Sequence, residues 1–311
     1  MNNYITIDGG TTNTRLRLVK NNAVAAEQRL SMGAKDCINA KESYKNFIID
    51  KIKMLLEESK IAESEIRAIL ASGMLTSETG LYTVPHITAP IGLQELNSGL
   101  VRADIGISSA PCYFVPGVRI MSKDPCESDI MRGEEAEFFG LSEYISQNSV
   151  LIMPGSHTKH IFCDTQKRIS TFKTFMTGEM LAAISQGTIL LDSININRLD
   201  FDGDLLILGY DHSLKLGINR ALFQTRILDK LFKKSPQELY SYFLGVILCG
   251  EINTLANSKK DIYICGRHIL RKSMHYLIQH RLSLSATEIC EQDSELAATR
   301  GAIRIFEYNE R

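Results

Sequence analysis

Six residues near the start of the 311-residue chain, Asp8-Gly9-Gly10-Thr11-Thr12-Asn13, combine the groups that can hold a polyphosphate. Glycines let a backbone approach an anion closely and turn its N–H groups toward it. Thr11, Thr12 and Asn13 add side-chain donors, and Asp8 supplies a carboxylate of the kind that holds a hydrated Mg²⁺. An ordinary glycine-rich hairpin turn would explain the glycines but neither the acid nor the polar run. About 145 residues later, Gly155-Ser156-His157-Thr158-Lys159-His160 brings a glycine, hydroxyls and a lysine together again. The close spacing of His157 and His160, without a carboxylate triad, favours contacts to phosphate or substrate over a metal site. Two further stretches carry charge beside glycine: Met131-Arg132-Gly133-Glu134-Glu135 and Met176-Thr177-Gly178-Glu179. Acids in the first turn of a helix commonly complement its dipole. That reading suits Glu137 best and is weaker for Arg132, Glu134 and Glu135. Glu179 would be kept ionised by the same dipole.

Such groups act only if rigid elements hold them. Tyr4 to Ile7 and Arg15 to Leu18 read as the two strands of a hairpin, with the polar run at its tip. A P-loop would instead lead into a helix and end in Gly-Lys-Ser/Thr. Val24–Arg29 reads as a third strand, Lys41–Lys60 as an amphipathic helix and Ala68–Ser72 as a buried strand. From Gly80 to Ile120, four prolines break the pattern, and much of it reads as loop. A helix opens after Asp129, and Ser142–Asn148 reads as a polar join. Val150–Met153 and Ile161–Cys163 flank the second polar tip as strands, with a further strand at Arg168–Phe172 and a helix from Thr177 to Gln186. The recurrence of strand, polar tip and strand suggests an internal duplication, with two facing hairpins clamping a polyphosphate. Farther on, Leu205–Gly209 is an apolar run, and Leu214–Phe232 and Gln237–Leu255 read as helices. Gly245 and Gly250 should let the latter pack closely on a neighbour. Asp261–Cys265 reads as a strand closed by Gly266, where a flat ring or phosphate can rest on backbone. Ser294–Tyr308 closes the chain as a helix with Ala297, Ala298, Gly301 and Ala302 on one face.

Length suggests two domains, and a 44% hydrophobic fraction supports a sizeable core in each. A formal net charge of -1 and the absence of a basic stripe argue against nucleic acid as a partner. No stretch reaches the roughly 18 apolar residues of a membrane span. Seven scattered cysteines without a Cys-x-x-Cys pair fit a reducing cytoplasm. The chain enters its first strand at once, so no signal peptide is expected. His86, His212, His268, His275 and His280 read as structural.

Taken together, these residues resemble the sugar kinase, heat-shock ATPase and actin superfamily. Asp8 to Arg15 looks like its first phosphate motif, Gly155 to Lys159 stands where its second belongs, and Ile264-Cys265-Gly266 where its adenosine motif belongs. More narrowly, the chain is similar to the 2-dehydro-3-deoxygalactonokinase family. Met131–Glu135, Met153–Lys159 and Met176–Glu179 match that family in order and spacing, and Ala298–Ala302 does so more loosely. The family often has a bulky aromatic where Gly9 stands. The stretch from Gly80 to Pro116 matches poorly, and the second phosphate motif lacks the acid many sugar kinases carry nearby. The resemblance implies an α/β fold of two RNase H-like (actin-like ATPase) domains, 1–145 and 146–311, related by duplication with a cleft between them. It implies an ATP- and Mg²⁺-dependent kinase acting on the 6-hydroxyl of a 2-keto-3-deoxy sugar acid. Asp8 would hold Mg²⁺. Gly9, Gly10, Thr11, Thr12, Asn13, Gly155, Ser156, His157 and Thr158 would bind phosphates, and Gly266 would lie against adenosine.

The general base is not carried over by the resemblance. Glu134 and Glu135 point about 100° apart at one helix start, so one of them would orient the sugar, with Asp8 as the base. Arg15, Arg132 and Lys159 are candidates for the substrate carboxylate, with Thr177, Gly178 and Glu179 also on the substrate side. Partners would be small molecules alone, and a homodimer is one assembly this reading allows. A kinase for another sugar, or a non-catalytic nucleotide or sugar sensor on the same fold, is the alternative. A DNA-reading regulator would need an additional helix-turn-helix.

Overall fold

The computed structural model describes residues 2–195, 200–266 and 268–310. Its contacts divide the chain into two compact units. The first comprises Met1–Gln147, Cys163–Phe172 and Glu295–Arg311, the second Asn148–Phe162 and Lys173–Ser294. The sequence reads as two contiguous stretches, 1–145 and 146–311, whereas these units interleave, with Cys163–Phe172 and Glu295–Arg311 in the first.

The chain opens with β1 (Asn3–Gly9), β2 (Thr14–Lys20) and β3 (Ala23–Leu30), then α1 (Ala34–Ser59) and β4 (Ile66–Gly73). Short elements follow: β5 (Ile87–Thr88), α2 (Leu93–Ser98), β6 (Val101–Arg102), β7 (Cys112–Phe114), β8 (Val118–Ile120), β9 (Asp129–Met131) and α3 (Glu134–Leu141). Six strands form a sheet in the order β3-β2-β1-β4-β7-β6, and β5-β8-β9 form a small second one. β1 runs antiparallel to β2 and parallel to β4. β1 is central and covered on both faces, so its apolar residues are not confined to one side. Ile5 and Ile7 pack with Ile48, Ile52 and Leu55 of α1. Tyr4 points the other way, joining Ala302 and Ile303.

The second half holds β10 (Ser149–Met153), β11 (Thr158–Cys163), β12 (Ile169–Phe175), α4 (Thr177–Gly187), α5 (Gly203–Leu216), α6 (Ile218–Lys230) and α7 (Pro236–Asn253). It continues through β13 (Asp261–Ile264), α8 (His268–Leu282) and β14 (Ala286–Glu288) to α9 (Glu291–Phe306). Its sheet has the order β12-β11-β10-β13-β14, with β10 antiparallel to β11 and parallel to β13. That repeats the order of β3-β2-β1-β4-β7, as an internal duplication requires. Val150 and Ile152 pack on Leu244, Leu248 and Ile252 of α7. α7 starts where Ser235 and Glu238 cap one another reciprocally and Pro236 takes the first turn.

Two helical readings need correction. Leu214 to Phe232 is not one helix: α5 ends at Leu216, and Gly217, at φ 77°, turns the chain into α6. In α7, Gly245 does meet a neighbour, since a Cβ there would run into the Leu206 carbonyl, but Gly250 faces open space. The small face of α9 is used as expected: a Cβ on Gly301 would strike the Ala136 carbonyl.

Candidate active site

The first polar tip, at the β1–β2 turn, is closed by one backbone bond, Gly10 N–H to Asn13 O at 2.8 Å. Thr11, Thr12 and Asn13 are exposed, and Asn13 donates to the Thr12 hydroxyl at 2.9 Å. The carbonyls of Gly10 and Thr11 accept from Ala34 and Lys35, the first residues of α1. The tip thus satisfies helix N–H groups that would otherwise lack partners. The approach is so close that a Cβ on Gly33 would lie 2.5 Å from the Gly10 oxygen. Gly9 is packed as tightly, since its Cβ would lie 2.7 Å from Leu75 Cβ. Leu75 therefore takes up space beside the position where the resembling family often has an aromatic.

Asp8 sits one residue before that tip, opposite Arg15 on β2 and Ser72 on β4. Burial pushes its carboxyl above the ordinary range, with Arg15 and Arg17 opposing and Glu134 assisting. Arg15 is half-buried, and its Nη1 reaches the Glu295 carbonyl only at 3.5 Å. Arg17 is buried and committed, bonding Glu27 at 2.6 Å, the Glu295 carbonyl at 2.7 Å and Thr299 at 3.1 Å.

The α3 start separates the roles of its acids. Gly133, at φ 114°, turns the chain into α3. Glu135 is fully buried, and both its oxygens accept from Gly133 N–H, at 2.9 and 2.8 Å. Burial pushes its pKa up to about 8, with Glu134 adding to the shift and the backbone N–H and Arg132 opposing. The expectation that either Glu134 or Glu135 orients the sugar is therefore narrowed, because the Glu135 carboxyl is spent inside the protein. Glu134 is half-buried and accepts from Arg132 N–H at 3.1 Å. Glu137, read from sequence as a dipole complement, belongs with the site acids. Burial holds its carboxyl well above the usual range, reinforced by Asp8, Glu134 and Glu135. Its three-residue spacing from Glu134 was the available signal, since such pairs share a helix face.

Arg132 also requires correction as a carboxylate receptor. Its Nη1 donates to Thr76 O at 2.8 Å and Thr76 Oγ1 at 2.6 Å, and its Nη2 to Val84 O at 2.8 Å with His86 Nδ1 at 3.2 Å. Those four bonds account for every terminal guanidinium hydrogen. Arg132 anchors the segment from Thr76 to His86. His86 is held neutral by burial and by the positive charge of Arg132 and Arg119, in keeping with a structural histidine.

In the second unit, the β10–β11 tip repeats the first arrangement. Gly178 N–H donates to Gly155 O at 3.2 Å and Ser156 O at 3.1 Å, and Glu179 N–H to Ser156 O at 3.2 Å. These N–H groups open α4, and a Cβ on Gly178 would lie 2.6 Å from the Gly155 oxygen. Ser156 is exposed, His157 Nε2 pairs with Glu179 at 3.1 Å, and Thr158 and Lys159 are buried. His160 is also buried, 4.8 Å from the Phe175 ring, and desolvation lowers its pKa to about 3. It is a core residue. Thr177 donates to Glu251 of α7 at 2.9 Å, a partner that the sequence left unmarked. Gly266 follows β13 at φ 88°, against Pro154. Its N–H donates to Ser294 at 3.1 Å, and its carbonyl accepts from Arg271 at 2.6 Å.

A repeated five-strand order, with a phosphate-type hairpin tip seated on a helix start in each unit, defines the actin-like ATPase and sugar kinase fold. A crystal structure of a proposed 2-dehydro-3-deoxygalactonokinase from Sinorhizobium meliloti is similar at a TM-score of 0.80 and 21% identity, over 97% of this chain and 96% of that one. The activator of 2-hydroxyisocaproyl-CoA dehydratase from Clostridium difficile shares the fold at a TM-score of 0.55 and 12% identity, over 99% and 95% of the two chains. The 2-dehydro-3-deoxygalactonokinase of Escherichia coli K12 is 25% identical over 268 residues, covering 86% of this chain and 83% of that one. Residues 8–305 match the 2-keto-3-deoxy-galactonokinase family, and the chain belongs to it. It is accordingly an ATP-using kinase, a phosphotransferase with an alcohol acceptor on a small molecule. The family's activity is ATP-dependent phosphorylation of 2-keto-3-deoxy-galactonate. Among the described residues, no helix is long and apolar enough to cross a membrane.

Proposed function

We propose that this chain phosphorylates 2-keto-3-deoxy-galactonate on its 6-hydroxyl, using Mg²⁺ and ATP. The observation that carries the reading is the pair of polar tips, Gly10–Asn13 and Gly155–Thr158, each braced on a helix start, with Asp8 at the foot of the first. Bracing matters because phosphoryl transfer depends mainly on position and charge neutralisation. Gly9 to Asn13 and Gly155 to Thr158 bind the phosphates, and Gly266 lies against adenosine.

Asp8 fits a Mg²⁺ partner. Among the described residues no three His, Cys, Asp or Glu side chains converge as a metal cage. Mg²⁺ in such enzymes is commonly bound by one or two carboxylates together with phosphates and water, and Asp8 is the carboxylate assigned to it. When bound, Mg²⁺ neutralises charge on the transferring phosphates. The chain's own residues do the rest. The sugar 6-oxygen forms the new bond to the γ-phosphorus as the bond to the β–γ bridging oxygen breaks and ADP leaves. The hydroxyl proton passes to a carboxylate, for which Asp8 is assigned. Glu134, the less buried of the two neighbouring acids, orients the sugar. Arg15 and Lys159 are the cations assigned to anionic groups, since Arg132 is committed to its loop. Seven scattered cysteines with no Cys-x-x-Cys pair accord with a reducing cytoplasm as the compartment.

The test measures ADP release from Mg-ATP with 2-keto-3-deoxy-galactonate, other sugar acids and neutral sugars. A buried charge left without its partner is costly, so the acid should exceed its neutral counterpart by at least about a hundredfold in kcat/KM. Equal values would overturn the sugar-acid assignment.

A further inference from the structure

Glu251 is a buried acid that the reaction above does not use. It lies in the last turns of α7 and is 3% exposed. Its Oε2 accepts the Thr177 hydroxyl at 2.9 Å, while its Oε1 is buried without a hydrogen-bond partner. The Thr158 hydroxyl also bears on this carboxyl, and Thr158 Oγ1 is likewise buried without a bond of normal geometry. A buried polar atom left unpaired costs free energy, so two such atoms side by side call for an explanation.

Their positions supply it. Thr158 is the first residue of β11 and Thr177 the first of α4. These are the two stems of the second polar tip: β11 carries the tip outward, and the α4 N–H groups hold the Gly155 and Ser156 carbonyls. One carboxyl therefore bears on both stems from below. We propose that Glu251 is a positioning residue for ATP: in its uncharged form it accepts from Thr177, donates to Thr158, and so fixes the Gly155–Thr158 tip for phosphate. This rests on the reading of that tip as a phosphate site.

Burial, and not the hydroxyl contacts, favours the uncharged form, and a carboxylate here would place a buried negative charge close to bound phosphates. Burial raises the Glu251 pKa to about 8, opposed only by the Thr177 and Thr158 hydroxyls, with no charged group from α4, β11 or α7 among the causes. The affinity for ATP should then fall as pH rises through about 8.

The experiment compares Glu251→Gln, Glu251→Leu and Ser156→Ala at pH 7 and pH 9, measuring KM for ATP and for the sugar acid separately, with thermal unfolding as a check. Glu251→Leu should raise the KM for ATP at least about tenfold at pH 7 and leave the KM for sugar within about twofold. Glu251→Gln keeps a donor and an acceptor, so its KM for ATP should rise no more than about threefold and lose the alkaline increase seen in the parent enzyme. If the Leu variant does not fold, the Gln variant decides. An alkaline increase that persists in Glu251→Gln, or equal changes in both KM values, overturns the inference. Ser156→Ala separates the two readings. A raised KM for ATP there with an unaffected Glu251→Leu overturns the role of Glu251 alone, whereas no change in either overturns the phosphate tip as well.

Discussion

Replacing Glu135 by Gln should make the protein more stable at pH 7.5 and less stable at pH 4.5. Glu135 is fully buried, and its pKa stands at about 8 against an ordinary 4.5. A group whose pKa is raised on folding contributes stability below its unfolded pKa, and that stability is lost as pH rises through the folded value. At pH 7.5 folding must therefore place a proton on this carboxyl. Three pH units above 4.5, at 1.36 kcal/mol each, that costs about 4 kcal/mol. Glutamine needs no proton, and its amide oxygen can still accept from Gly133 N–H. Its NH₂ takes the place of the second oxygen and meets the same donor, a mismatch worth roughly 1–3 kcal/mol. The balance is a gain of roughly 1–3 kcal/mol at pH 7.5, or several degrees in Tm at the usual scaling. At pH 4.5 the proton is nearly free of cost, so only the mismatch remains and Tm should fall. Melting curves from pH 4.5 to 8.5 test the change of sign. A Tm difference that does not vary with pH would refute the argument. A kcat abolished in Glu135→Gln with sugar affinity intact would refute the reading of Glu135 as an internal group and make it the base.

Asp8→Asn removes the carboxylate assigned to Mg²⁺ and to the hydroxyl proton, so kcat should fall about a hundredfold or more with the KM for sugar nearly unchanged. Near-normal turnover with intact Mg²⁺ dependence would dismiss both roles. Arg132→Lys replaces a planar fork making four bonds with a point donor that can make three at most, so Tm should drop by an amount equivalent to about 2–4 kcal/mol. An unchanged Tm with a tenfold rise in the KM for sugar would show that Arg132 faces substrate after all.

What could be read from the sequence was what lies close together along it. Each polar tip keeps its glycine, its hydroxyls and its flanking strands in one short stretch, Asn3–Lys20 or Ser149–Cys163, so chemistry and spacing coincide. The partners of Arg132 lie 46 to 56 residues upstream, and nothing local shows that Thr76, Val84 and His86 will exhaust it. Thr177 and Glu251 are 74 residues apart, and Glu251 sits near the end of an apolar-rich helix where nothing local distinguishes it from a solvated acid. The division between Glu134 and Glu135 was half legible: helical geometry allows only one to face the site, but which one turns inward depends on Gly133, whose left-handed backbone offers its N–H to Glu135. Gly217 illustrates a different limit, because hydrophobic spacing continues across it while its φ of 77° ends one helix and begins another.

The duplication is clearest in how the tips are braced, more than in the residues they contain. Gly10 and Thr11 accept from Ala34 and Lys35, as Gly155 and Ser156 accept from Gly178 and Glu179. In both places a glycine, Gly33 or Gly178, permits the contact. The shared solution has a physical reason. A helix start has N–H groups that need acceptors, and a hairpin tip that keeps its own N–H groups for an anion has carbonyls to offer. The halves then diverge in what lies behind the tip. Asp8, an acid near Arg15, Arg17 and Glu134, stands behind the first, and Glu251, an acid bearing on the Thr177 and Thr158 hydroxyls, stands behind the second. A carboxylate held among cations suits a group that must meet a metal and a proton. One surrounded by hydroxyls suits a group that must remain uncharged and hold its neighbours still.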